Sequence, residues 1–203
     1  MTRRGRGRPR LTSSGEAPDG SRARILASAR ELFAEHGFER TTMRAIGQRA
    51  EVDPALIHHY FGTKDRLMTA ALLPDIDVAA VFGGFDPSVS PGTEFVRRVV
   101  GVWDGRPEVR GRMIALLRIA MTRDEVATIM REFILGLAAT ALGDVIRDDD
   151  RDLRFGLIAS QMLGLGLTRY IFEIPSIAAA GTDDLAEYVG PRIEHYLLGD
   201  LGS

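Results

Sequence analysis

The sequence predicts an all-α protein of about nine helices, a short N-terminal three-helix unit followed by a larger helical domain. Three observations carry that reading. Apolar residues recur at helical spacing in one segment after another. Residues that start and stop helices (Ser, Thr, Asp, Gly and Pro) punctuate those segments at helix-length intervals. Beyond residue 64 no stretch alternates at period two, so strands are not expected there.

The elements follow in order. Residues 1–20 are rich in Arg, Gly, Ser and Pro and carry too little apolar surface to bury, which predicts a disordered basic arm. A first helix over about 21–36 places Ile25, Leu26, Ala29, Leu32 and Phe33 on one face, with Ser21 to cap its start and Gly37 just past its end. Thr41 or Thr42 then caps a short helix through Ala50. Asp53 caps a third, with Pro54 at the first position, where a missing N–H removes no bond. Thr63 caps a fourth from Lys64, which Pro74 ends or kinks. The stretch "FGGFDPSVSPG" reads as a loop. Later helices fit about 93–104, 107–122, 124–147, 150–173 and 183–198, with Pro191 expected to kink the last or mark a restart. The expected divisions are an arm over 1–20, a first domain over 21–70 and a second over 71–203.

Three short helices with so tight a turn read as a helix-turn-helix. In such a unit the third helix, here "DPALIHHYF", lies in the DNA major groove. Leu56, Ile57 and Phe61 supply its inner face. Pro54, Ala55, His58 and His59 lie toward the outside, with Tyr60 at the rim. Ala55 or Leu56 suits a thymine methyl, while His58, His59 and Tyr60 suit phosphates or, for His58, a base edge. Arg44 is placed to reach a guanine edge, and Thr42 and Lys64 sit at helix N-termini, which favour phosphate. Spacing alone leaves a second reading open, a helical unit that binds no DNA.

Charge favours the first reading. The net charge of −2 divides into +5 over residues 1–70 and −7 over residues 71–203, so an anionic partner would meet the N-terminal part. Of the 26 basic residues, 25 are arginine, Lys64 being the exception. The chain has no cysteine, no phosphate-binding glycine loop and no His-x-x-x-His. Its clustered carboxylates, Asp148, Asp149, Asp150 and Asp152, read as a solvated loop and helix cap. No enzyme, cofactor or metal site is expected. The longest apolar stretch, Phe155 to Thr168, is interrupted by Ser160 and Gln161 and is too short to span a bilayer. With no apolar leader, a cytoplasmic protein is expected.

The stretch "ILASARELFAEHGFERTTMRAIGQRAEVDPALIHHYFGTKDRL" closely resembles the N-terminal domain of tetracycline-repressor-like (TetR) regulators. Phe33, Gly37-Phe38, Thr41-Thr42, Ile46, Val52-Asp53-Pro54, Tyr60-Phe61 and Gly62-Thr63-Lys64 carry the resemblance in order. It implies DNA contacts from Thr42, Arg44, Pro54, Ala55, Leu56, His58, Tyr60 and Lys64, with His59 beside them. Two positions depart from the family pattern: Glu51 stands where the turn usually has glycine, and His58 where tyrosine is usual. The resemblance implies a transcriptional regulator, a repressor released from an inverted-repeat operator by a small molecule. The alternative is a ligand-independent or architectural DNA binder.

The resemblance also implies a homodimer through the last two long helices. In the first of these, Gly156, Ala159, Ser160, Gly164 and Gly166 along an apolar run suggest close approach to another backbone, in the same chain or in a partner, or to a ligand. The last helix offers Leu185, Tyr188, Val189, Ile193, Tyr196 and Leu197. Phe95, Trp103, Met113, Leu117, Met121, Phe133, Met162 and Phe172 are the candidate lining of a ligand pocket, or plain core. Arg118 and Arg169, on apolar stretches, need anionic partners, either an acidic ligand or Glu132 or Glu173. Finally, "RGRPR" (Arg6 to Arg10) resembles an AT-hook core. Arg6 and Arg8 are the candidates for minor-groove contacts, the alternative being a tail that attracts phosphate without sequence preference.

Overall fold

The computed structural model describes residues 18–83, 86 and 88–202. Every regular element among them is a helix: α1 (Pro18–Arg40), α2 (Met43–Ala50), α3 (Pro54–Phe61), α4 (Lys64–Leu72), α5 (Val78–Phe82), α6 (Pro91–Gly105), α7 (Pro107–Ala120), α8 (Asp124–Leu142), α9 (Arg151–Tyr170), α10 (Pro175–Ala178) and α11 (Thr182–Leu198). The chain divides into two compact units, one through Ala71 and one from Leu72. Arg6 and Arg8 lie outside the described residues.

In the first unit, Ile25, Leu26, Ala29 and Leu32 of α1 pack with Ile46 and Ala50 of α2, Ile57 and Phe61 of α3, and Leu67 and Ala71 of α4. The spacing that predicted an amphipathic α1 is the spacing that buries this face. Helical geometry breaks at Gly37, whose φ of 73° and ψ of 174° belong to glycine, and one further turn reaches Arg40. Thr41 is buried, its hydroxyl shared between the carbonyls of Leu32 (3.0 Å) and Gly37 (2.8 Å), so it closes α1 while Thr42 caps α2. Arginines tie the helices together at polar points. Arg49 grips Glu35 with two hydrogen bonds of 2.8 and 3.1 Å. Arg24 donates to the Ala50 carbonyl, and Arg30 to that of Ala71.

The second unit has its own core, built from Phe95, Val96 and Val100 of α6, Leu142 of α8, Phe155, Ile158, Met162 and Leu165 of α9, and Leu185, Ile193 and Leu197 of α11. Helices α6 and α11 cross at backbone contact. A Cβ on Gly92 would collide with the Gly190 carbonyl and the Glu194 amide, and one on Gly190 with the Thr93 backbone. Within the chain, the glycines of α9 make no such backbone approach: Gly156 and Gly164 face open space, and a Cβ on Gly166 would stand 3.6 Å from the Trp103 ring.

Several boundaries differ from those the sequence predicts. Helices α5 and α10 are additional; each is a single turn, too short to show a period. Helix α8 stops at Leu142 rather than near 147. There the Arg151 guanidinium takes the Gly143 carbonyl (2.9 Å) and the chain turns to bury Ile146. Helix α9 stops at Tyr170 because Glu173 turns left-handed (φ 48°), letting the Ile174 amide reach back to the Thr168 carbonyl at 3.0 Å. Helix α11 runs through Pro191 without a restart. Pro191 and Glu187, whose carbonyl loses its partner, are both exposed, so solvent can serve that carbonyl.

Candidate nucleic-acid interface and ligand cavity

The surface of α3 is positioned by its two ends. At the start, the Asp53 carboxylate accepts from the Ala55 amide at 2.8 Å, and Pro54 opens the first turn. At the end, Gly62 has φ 69°, and His58 Nδ1 lies 3.0 Å from the Gly62 carbonyl. In that contact Nδ1 must carry the proton, which leaves Nε2 for an outside partner. Ile57 and Phe61 face the core, while Ala55, His58 and His59 are exposed and Pro54, Leu56 and Tyr60 are half-buried.

Helix α2 meets α3 at Gly47, where a Cβ would stand 3.0 Å from the Val52 carbonyl and 3.2 Å from the Pro54 ring. A side chain there would push the two helices apart. This positioning residue gave no signal in the sequence, because a single glycine inside a short helix has no unique meaning. Thr42 caps α2 by accepting from the Ala45 amide at 3.1 Å. Arg44, one turn on, is exposed and makes no bond to any described residue. The turn itself is held by Glu51 in a left-handed conformation (φ 56°, ψ 44°), so the chain accepts a side chain where glycine would be unstrained. Lys64 opens α4 with its ammonium 4.1 Å from the centroid of the Phe38 ring, held there by a cation–π contact while half-buried.

The second unit holds a partly open cavity of about 120 Å³ between α5, α6, α7, α8 and α9. Phe95, Trp103, Met113, Phe133 and Met162 line it. Leu117 borders a smaller space of about 40 Å³ that shares Trp103, Met113 and Met162. Two candidates are corrected. Met121 is 82% exposed and Phe172 68% exposed, and neither lines the cavity. Both lie just past a helix C-terminus, where helical spacing no longer sets the face.

The arginines on apolar stretches are also resolved. Arg118 is exposed and needs no partner. Arg169 is buried and donates through Nη2 to Asp104 at 2.9 Å, in place of Glu132, Glu173 or an acidic ligand. Tyr170 donates to the same carboxylate at 2.7 Å and Thr182 at 3.2 Å. The acidic cluster is corrected in part. Asp149 holds the fully buried Arg154, and Asp150, in a left-handed conformation, makes no side-chain cap.

On α11, Leu185, Ile193 and Leu197 belong to the chain's own core, and the half-buried Val189 and Tyr196 pack against it. Tyr188 is 82% exposed and Leu198 is exposed, on a stripe with Pro191, Arg192 and His195. On α9, Leu153, Gly156 and Ser160 are exposed, and open space surrounds Gly156 and Gly164. Among the described residues no helix is long and apolar enough to cross a membrane.

Comparison with known proteins converges on one group. The family model described as "Bacterial regulatory proteins, tetR family" matches residues 25–71, and "Tetracyclin repressor-like, C-terminal domain" matches residues 90–197. The chain is similar to the HTH-type transcriptional regulator UidR of Escherichia coli K12, 40% identical over 55 residues, and to the HTH-type transcriptional repressor AcnR of Corynebacterium efficiens, 38% identical over 63 residues. Those matches cover 27% and 31% of this chain and only 28% and 34% of the relatives' own lengths. A crystal structure of a TetR-family regulator from Streptomyces coelicolor A3 is similar over nearly the whole chain. It is 32% identical, with a TM-score of 0.63, covering 95% of this chain and 99% of that one.

Proposed function

The chain belongs to the tetR family of bacterial regulatory proteins, and from that premise we propose that it is a sequence-specific DNA-binding transcriptional regulator, a repressor released from an inverted-repeat operator by a small molecule. It acts by binding rather than by catalysis, in the cytoplasm where its DNA lies. The observation that carries the reading is the outer surface of α3 with the start of α2. Thr42, Arg44, Ala55, His58 and His59 are exposed around a helix whose inner face is locked in the core. Pro54, Leu56, Tyr60 and Lys64 border that surface. Small residues at the tip of α3 allow close approach to a groove. Arg44 offers a guanidinium free for a base edge or phosphate. The arm, through Arg6 and Arg8, adds contacts to the flanking minor groove.

A homodimer suits an inverted repeat, since two-fold symmetry sets two α3 helices about 34–36 Å apart or a multiple of it. The open faces of α9 and α11, with Gly156, Ser160 and Gly164 on one and Tyr188 and Leu198 on the other, support that pairing. The cavity lined by Phe95, Trp103, Met113, Phe133 and Met162 supports a ligand inside the second unit. To release DNA, the ligand must bind one state of the protein better than the other. Helix α4 ends the first unit and is the covalent route by which that preference reaches it.

Selection of bound fragments from a random DNA library tests this. An inverted repeat is expected, with binding weakened by Arg44→Ala and His58→Ala. Recovery of no preferred sequence, with affinity set by salt alone, would instead show an architectural binder.

A further inference from the structure

The cavity of the second unit holds a chemical specification in its walls. Seventeen side chains line it, and all are apolar: aliphatic residues, Ala138 and Ala141 of α8, Ala159 of α9, two methionines, three phenylalanines and Trp103. None carries a charge, and none carries a hydroxyl, carboxyl, amide or imidazole. The single polar hydrogen among them is the Trp103 indole N–H, for which no described residue provides an acceptor. Among the described residues, the one charge that borders the adjoining smaller space, Arg110, donates to the Trp103 carbonyl at 2.9 Å and lies over the Tyr170 ring. Arg169 is paired with Asp104, and Tyr170 donates to the same carboxylate.

A charged ligand in this space would lose its hydration without gaining a partner, a penalty that apolar contact does not offset. A polyhydroxylated ligand would lose several hydrogen bonds and recover at most one. An apolar cavity of comparable size, about 150 Å³, stays dry and takes up benzene or xenon.

Resting on the reading that this cavity serves a small molecule, we propose that the effector is an uncharged, predominantly apolar molecule of about one ring, with no more than one hydrogen-bond acceptor. Sugars, phosphates, amines and carboxylates are excluded from the cavity as it stands.

Trp103 is the chain's one tryptophan, so its emission reports the cavity directly. The test titrates the full-length protein with four ring-sized probes: toluene, acetophenone, benzoate and benzylamine. Trp103 emission and the thermal midpoint are followed together, and xenon is applied in a parallel measurement. Toluene and acetophenone are expected to shift both signals, with acetophenone equal or tighter, and benzoate and benzylamine to bind at least tenfold more weakly. Ala159→Leu and Ala141→Leu each fill the cavity from a different helix, and whichever folds is expected to abolish the toluene response. Benzoate or benzylamine binding as well as toluene would overturn the proposal. So would silence of all four probes and xenon.

The same samples, mixed with library-selected DNA, separate this outcome from the regulatory reading. A protein that binds toluene but selects no DNA contradicts the regulator while leaving the ligand class standing. A protein that binds its DNA but accepts only charged probes does the reverse.

Discussion

Arg169 of α9 donates through Nη2 to the Asp104 carboxylate of α6 at 2.9 Å, joining two helices across the second unit. Arg169 also donates to the carbonyls of Ile177 (2.6 Å) and Ala180 (2.9 Å), so one guanidinium fixes α6, α9 and the connection to α11. Burial pushes the Asp104 carboxyl up, but hydrogen bonds from Tyr170, Arg169 and Thr182 and the charge of Arg169 outweigh it and hold the group below the usual carboxylate range. A lowered folded value means the stabilisation is present above the ordinary carboxylate range and is lost as pH falls through the lowered value. Asp104→Asn is therefore expected to lower stability by about 1.5–3 kcal/mol at neutral pH. The gap from wild type should close as the pH is taken down. Urea unfolding of both proteins between neutral and acid pH measures it, and a gap that stays constant would contradict the account.

Tyr170 supplies an independent reading of the same network. Burial and the neighbouring Asp104 carboxylate push its hydroxyl up to about 12, against the opposing pull of Arg169. A raised folded value favours the fold below the ordinary tyrosine value, and that contribution is lost as pH rises toward 12. Of the four tyrosines, one is expected to ionise late in an absorbance titration of the folded protein, and Tyr170→Phe is expected to remove that late step.

Among the described residues Arg154 is the largest fully buried side chain. Its guanidinium donates to the carbonyls of Asp149 (2.8 Å), Tyr196 (2.8 Å) and Gly199 (3.0 Å) and to the Asp149 carboxylate (2.8 Å), closing the end of α11 onto the start of α9. Arg154→Ala is expected to cost about 3 kcal/mol by leaving buried carbonyls without donors. Arg154→Lys should recover little, because one ammonium cannot serve acceptors arranged around a planar fork. Full recovery by lysine in thermal unfolding would show that charge, not the fork, is what matters.

Glu51 spends its residence in the left-handed region at a cost of about 1–2 kcal/mol, part of which glycine recovers against its own loss of chain freedom. Glu51→Gly is expected to stabilise the chain by about 0.5–1 kcal/mol. It also removes a carboxylate from the turn beside α3, so DNA affinity should rise, more so at low salt. Denaturant midpoints and binding isotherms at two salt concentrations check both parts.

Legibility in the sequence followed the range of the interaction. The face of α1 and the Asp53 cap were readable, and the cap of α2 was narrowed to Thr41 or Thr42, because each is set within one or two turns. The all-helical class followed from the same local periodicity. Asp104 as the partner of Arg169 was not readable, because the two stand 65 positions apart and nothing in spacing selects that acid over Glu132 or Glu173. The role of Gly47 was hidden for a similar reason, since its meaning lies in the Pro54 ring across the turn. Periodicity named five of the cavity's lining residues but also drew in Met121 and Phe172, which stand past helix ends. On α11 it marked Leu185, Ile193 and Leu197 as apolar without telling a partner's surface from the chain's own core.

The glycines of α9 separate a folded chain from an assembled one. A Cβ on Gly156 or Gly164 meets nothing within 4 Å, so replacement by alanine brings no clash within the chain. Helix propensity alone then favours alanine by about 1 kcal/mol at each position. If this face instead seats against a second copy, the added methyls separate the two helices and weaken the pairing. Gly156→Ala with Gly164→Ala is therefore expected to unfold at higher denaturant when dilute, yet to dissociate at higher protein concentration than wild type in sedimentation. Tyr188→Glu, on the exposed stripe of α11, is expected to loosen the same association without touching the core. Unchanged association in both variants would remove α9 and α11 from the pairing surface.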